Sequence, residues 1–135
     1  MGFACSPLLD KDIHGCRACK YCYFYEGECI QRDDITPIID KMREIDMLVL
    51  ATPIYYYSLP SQTKAVLDRM YAWHRKPLAI KKSVLLGSLE DSADRINLLT
   101  AQYKTAASYM GWRGMGGVYA HMGCGAIPSR RTIRH

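Results

Sequence analysis

The sequence predicts a single α/β domain, residues 1–135, built on a parallel sheet. Two observations carry that expectation. Short apolar runs, too brief for helices, recur at 47–51, 83–87 and 118–122. Amphipathic segments of helical length fall between them. Such alternation implies parallel strands joined by right-handed crossovers. At 135 residues the chain is one domain with room for a real hydrophobic core.

Residues 1–15 read as a short extended segment, because Ser6 precedes Pro7 and is pushed out of the helical region. A cysteine loop over 14–33 follows. The first helix opens at Asp33-Asp34 and carries Ile35, Ile38, Ile39, Met42 and Ile45 on one stripe. Asp34 can cap it, or Thr36 with Pro37 at the first helical position. The run 47–51 reads as a strand buried on both faces. A loop over 52–60 lies between two prolines and holds Tyr55, Tyr56 and Tyr57.

The second helix starts near Ser61, carries Val66, Leu67, Met70, Tyr71 and Trp73, and stops at Lys76-Pro77. The second buried strand, 83–87, runs into Gly87-Ser88. Asp91 or Ser92 caps a third helix with apolar positions from Ala93 to Met110, and Gly111 ends it. The third strand, 118–122, is broken by Gly123, Gly125 and Pro128.

Net charge is +5, with a surplus at Arg130, Arg131 and Arg134, which read as a solvated tail. No basic helix with interleaved aromatics argues for nucleic acid. No apolar run approaches the roughly 18–20 residues of a membrane span, and the start lacks the pattern of a signal peptide. The expectation is a cytoplasmic protein, where clustered cysteines are metal ligands or redox groups rather than disulfides.

Four of the six cysteines, Cys16, Cys19, Cys22 and Cys29, fall in that one loop. The run C-x2-C-x2-C suits an iron–sulfur centre. Zinc is the second reading, although its structural sites more often pair two distant C-x2-C knuckles. Four free thiols are the third. Cys5 and Cys124 read as ordinary thiols. His14, His74 and His121 read as structural, and Asp68-Arg69 as a surface or helix-end pair. In an open parallel sheet, ligands bind beyond the carboxyl ends of the strands. The loops 52–58 and 87–89 leave such ends, where a planar cofactor is expected.

Taken together, Gly15-Cys16-x-x-Cys19-x-x-Cys22, Gly27-x-Cys29, Asp33-Asp34-Ile35, Ala51-Thr52-Pro53-Ile54-Tyr55-Tyr56, Lys64-Ala65-Val66-Leu67-Asp68-Arg69 and Tyr109-Met110-Gly111-Trp112 resemble the flavodoxin-like NAD(P)H-dependent FMN reductases. Within them the iron–sulfur flavoproteins are most similar. The resemblance implies a flavodoxin-like three-layer sandwich, here N-terminally incomplete. It lacks the first strand and the phosphate-binding Gly-Ser-Pro-Arg-like loop. It implies FMN lined by Thr52, Pro53, Ile54, Tyr55, Tyr56, Ser58, Gly87, Ser88 and Leu89, and a [4Fe-4S] cluster on Cys16, Cys19, Cys22 and Cys29. NAD(P)H or a reduced ferredoxin-type carrier would be the donor.

A missing central strand leaves the edge of the 47–51 strand bare, to be covered by residues 1–9 folding back or by a partner subunit, and a homo-oligomer is expected. The rival expectation is a flavodoxin-like domain without flavin, serving as a metal-binding or assembly module.

Overall fold

The computed structural model describes residues 5–74, 76–90 and 96–121. The strands are β1, Met47–Pro53, β2, Lys82–Leu89, and β3, Arg113–His121. They form one parallel sheet in the order β1-β2-β3. Met47 lies opposite Lys82 and Pro53 opposite Ser88, so the carboxyl ends of β1 and β2 are level. The helices are the short α1, Tyr21–Phe24, then α2, Ile35–Met42, α3, Ser61–Arg69, and α4, Asn97–Tyr109. A 3-10 turn, Met70–His74, prolongs α3.

The predicted stripe of α2 is the face that packs. Ile35, Ile38, Ile39 and Met42 are all buried. They join Leu48, Val66, Met70, Trp73, Leu85, Leu89, Leu99, Tyr103 and Trp112 in one core. That core lies on one face of the sheet. Across it, the Ser83 and Tyr103 hydroxyls bond at 2.9 Å, tying α4 to β2.

The opposite face differs from the expectation. Met47, Val49, Leu86 and Val118 are 38–65% exposed, so β1 and β2 are buried on one face rather than two. A continuous apolar run cannot say which neighbour covers each side, and here burial alternates along β1. Among the described residues the outer edge of β1 pairs with no strand.

Three boundaries also move. Asp34 holds the N-cap position of α2, but its carboxylate accepts from the Asp12 amide instead. Pro37 is then the third helical residue rather than the first. β3 begins at Arg113, earlier than Val118, because pairing to β2 carries the glycine-rich stretch 113–117 into the sheet. The caps Asp91 and Ser92, the basic tail and Cys124 lie outside the described residues.

Candidate functional site

Residues 14–33 form a loop whose neck is closed by two buried charges. Arg69, on the last turn of α3, has 1% of its side chain exposed, and Asp33 has 3%. Arg69 Nη1 donates to Asp33 Oδ2 at 2.6 Å and to the His14 carbonyl at 3.0 Å. Nη2 donates to the Gln31 carbonyl and to Asp33 Oδ1, both at 3.3 Å. Asp33 in turn accepts from the backbone N–H groups of His14 and Ile35. The Gln31 side-chain amide adds a bond to the Gly15 carbonyl.

Arg69 is therefore not part of a surface pair with Asp68. Asp68 faces Lys64 one turn back, at 2.5 Å. Adjacent helix residues point about 100° apart, so one sits in the core while the other stays at the surface.

Burial works against both charges of the Arg69–Asp33 pair. For Asp33 it is outweighed by the hydrogen bonds from Arg69, His14 and Ile35 and by the Arg69 charge, which hold the carboxyl below the usual range. For Arg69 it is outweighed by the Asp33 hydrogen bond, by the nearby Cys29 side chain and by the Asp33 charge, which keep the guanidinium protonated.

The thiols inside the loop are all free. Cys16 and Cys19 are exposed, Cys29 is half-buried and Cys22 is buried on α1. Burial pushes the Cys22 thiol up, and charge repulsion from the neighbouring Cys29, Cys16 and Cys19 side chains pushes it further. The four sulfurs thus share one electrostatic neighbourhood. Among the described residues, no three His, Cys, Asp or Glu side chains are grouped to hold a single metal ion. Four cysteine thiols within one loop are the kind of donor set an iron–sulfur cluster takes. The Ala18 N–H donates to Cys16 Sγ at 3.4 Å, the kind of contact that tunes such a centre. Tyr23, Phe24 and Tyr25 are 50–74% exposed, and Tyr21 stacks on Tyr25 at 4.0 Å.

The second candidate region lies where the strand ends predicted it. The Ile54 N–H donates to the Ser88 carbonyl at 2.8 Å, joining the loops after β1 and β2. Tyr55 and Ser58 exchange backbone bonds at 3.0 and 3.1 Å around a turn of Tyr56 and Tyr57. Pro53, Tyr55 and Tyr56 are exposed; Ile54, Ser58 and Ser88 are half-buried.

Thr52 and Leu89 face the core instead. The Thr52 hydroxyl contacts that of Thr63 at 3.2 Å. The Tyr55 and Tyr56 rings suit the edge of a flat heteroaromatic ring. Thr52 and Leu89 can offer such a ligand only their backbone.

The space above Gly87 is already filled. A Cβ there would stand 2.8 Å from Ile54 Cδ1 and 2.8 Å from Tyr119 Cδ1. Gly87→Ala is therefore expected to destabilise the chain by about 1–3 kcal/mol through overpacking. Thermal denaturation checks it, and a melting temperature equal to wild type would refute the packing account.

Both regions share one feature. Among the described residues, every non-glycine with positive φ lies in one of them: Ala18, Lys20 and Glu26 in the cysteine loop, Tyr56 and Tyr57 in the tyrosine turn. Left-handed residues that must carry a Cβ concentrate where function over-determines the backbone. Between α3 and α4 there is also an apolar groove of about 560 Å³, with Leu50 and Leu85 among its lining and Cys16 and Lys20 on one wall.

Comparison with known proteins agrees with this architecture. The family model for NADPH-dependent FMN reductase matches residues 6–125. An iron-sulfur flavoprotein of Archaeoglobus fulgidus is 37% identical over 70 residues, covering 52% of this chain and 31% of that protein. One from Methanosarcina thermophila is 35% identical over 77 residues, covering 57% and 40%. The matched stretch thus spans about a third of the curated relatives.

Among solved structures, RosB with bound 8-demethyl-8-formylriboflavin-5'-phosphate superposes with a TM-score of 0.66 at 21% identity, over 91% of this chain and 52% of that one. The Trp repressor binding protein of Bacillus subtilis gives 0.61 at 22% identity, over 69% and 64%. These likenesses establish the flavodoxin-like α/β fold, and the three-stranded sheet is part of it.

Proposed function

The chain belongs to the NADPH-dependent FMN reductase family, and we propose that it works as a flavin-dependent redox protein of the iron–sulfur flavoprotein type. The observation that carries this reading is the cysteine loop: four thiols in one electrostatic neighbourhood, held on a neck of buried charge. Cys16, Cys19, Cys22 and Cys29 would hold a [4Fe-4S] cluster. The flavin would meet the Thr52–Ser58 and Gly87–Leu89 loops, with the Tyr55 and Tyr56 rings against it and the backbone of Thr52, Gly87 and Leu89 at its edge.

When bound, FMN supplies the junction between a two-electron donor and one-electron carriers, and the cluster supplies a one-electron relay. The chain's own residues bind, orient and tune. The Cys22 proton must leave on metal binding, because a thiolate is the ligand. Burial, and then the three neighbouring cysteines, oppose that loss in the free protein, so cluster uptake is expected to speed up with rising pH.

NAD(P)H or a reduced ferredoxin-type carrier would be the donor, in the cytoplasm. The open sheet face and the edge of β1, unpaired among the described residues, support a homo-oligomer. Among the described residues no helix is long and apolar enough to cross a membrane.

A second reading has its own observation. Thr52 and Leu89 turn their side chains into the core, and Gly87 is capped by Ile54 and Tyr119. This favours a metal-binding or assembly module without flavin.

Anaerobic reconstitution with iron and sulfide, followed by titration with FMN, separates the readings. The expected result is a broad brown absorbance that Cys19→Ser abolishes and Cys5→Ser leaves intact, with quenching of FMN fluorescence. A colourless protein after reconstitution overturns the cluster. A cluster without FMN quenching selects the flavin-free module.

A further inference from the structure

We propose that Arg69 is a positioning residue that clasps the cysteine loop shut and sets the properties of the centre the loop holds. The four thiols lie between residues 16 and 29, and the clasp grips just outside them on both sides. His14, two residues before Cys16, gives its carbonyl to Nη1; Gln31, two residues after Cys29, gives its carbonyl to Nη2. One planar fork thus spans the neck, with the Asp33 carboxylate set against both nitrogens. The His14 peptide is fixed twice, by its carbonyl on Arg69 and by its N–H on Asp33. Arg69 comes from α3, which is remote in sequence, and so ties the loop to the helix layer.

Two further observations separate this from a purely structural pair. A buried ion pair contributes little to stability compared with apolar residues of the same shape. Stability alone does not explain a guanidinium in this position. In addition, Arg69 Nε is buried with no partner among the described residues, while Cys29 adjoins the same guanidinium. The guanidinium thus stands against one of the four thiols as well as against the neck. Hydrogen bonds and positive charge at a ligand sulfur favour the reduced, more negative state of an iron–sulfur centre.

Only the effect on the centre rests on the cluster reading of the previous subsection. The clasp itself is testable in the metal-free chain. Hydrogen exchange of metal-free Arg69→Gln should rise far more across peptides covering residues 14–31 than in peptides from β2 and α4, which change only with global stability. Uniform loosening of loop and sheet alike would overturn the clasp and leave Arg69 a residue of global stability.

In the reconstituted protein, Arg69→Gln should lose iron to a chelator roughly tenfold faster, the scale of outer-shell effects on metal sites. Its midpoint potential should be lower than that of wild type. Arg69→Lys, which keeps the charge, should restore most of the potential but not the exchange protection. An unchanged potential in Arg69→Gln would overturn the tuning role.

Should Arg69→Gln fail to fold, the double variant Arg69→Gln/Asp33→Asn leaves no buried charge unpaired, and the same readings apply to it. Should wild type take up no iron, the cluster reading fails and the exchange measurement still decides the clasp.

Discussion

Asp33→Ala is expected to cost about 3–5 kcal/mol of folding stability, because it strands a buried cation. Arg69 has 1% of its side chain exposed and has its charge balanced by Asp33 at 2.6 Å. Domains of this kind hold about 5–15 kcal/mol in total, so the variant would stand near the edge of folding. Trp73 and Trp112 are both buried and report the transition by fluorescence in urea. Asp33→Asn keeps acceptor oxygen in place and should lose less. Asp33→Ala/Arg69→Met removes both charges and should recover much of the loss. A cost below about 1 kcal/mol for Asp33→Ala, the range of exposed pairs, would refute the buried-pair account.

The same pair fixes the sign of the pH dependence. Asp33 has a folded-state value below its ordinary one, so its contribution is fully present above the unfolded value of about 3.9 and is lost as pH falls through the folded value. The stability gap between wild type and Asp33→Ala should stay flat from neutral pH to about 5. It should close only in acid, where wild type loses the carboxylate that the variant never had.

The residues explain which features the sequence could and could not announce. The α2 stripe was readable because its partners are local: a helix that buries one face writes that face at i, i+3, i+4. Ile35, Ile38, Ile39 and Met42 are all buried. The strand ends were readable from the alternation of short apolar runs with helical stripes, and β1 and β2 do bring the loops 52–58 and 87–89 together through Ile54 and Ser88. Arg69 was not readable. Its partners lie 36 to 55 residues away, and nothing in Leu67-Asp68-Arg69 says which of two adjacent charges points inward. The open face of the sheet was hidden likewise, since an apolar run is the same whether both sides are covered or one. The resemblance places Thr52 in the flavin loop without saying which of its groups is free, and its hydroxyl is taken up by Thr63.

Gly27 shows how tightly the cysteine loop is fitted to the body of the chain, and it carries the second large expected effect. It follows α1 and sits between Cys22 and Cys29 in the sequence, and its N–H donates to the Cys22 carbonyl at 2.9 Å. Its φ of +83° lies in the left-handed region, and a Cβ there would stand 2.7 Å from the Ala72 carbonyl oxygen. That atom is backbone in the 3-10 turn Met70–His74, and Ala72 is itself buried, so the neighbour has no free rotamer with which to yield. Gly27→Ala therefore combines left-handed strain of roughly 1–2 kcal/mol with overpacking of about 1–3 kcal/mol. The loop can escape both by lifting away from the turn, which would carry Cys22 out of its buried position. The expected outcome is a loss of about 2–5 kcal/mol in urea. It should be accompanied by faster alkylation of Cys22 in the metal-free protein, read by mass spectrometry. Wild-type alkylation of Cys22 in a stable Gly27→Ala chain would show that the loop is not seated through this contact.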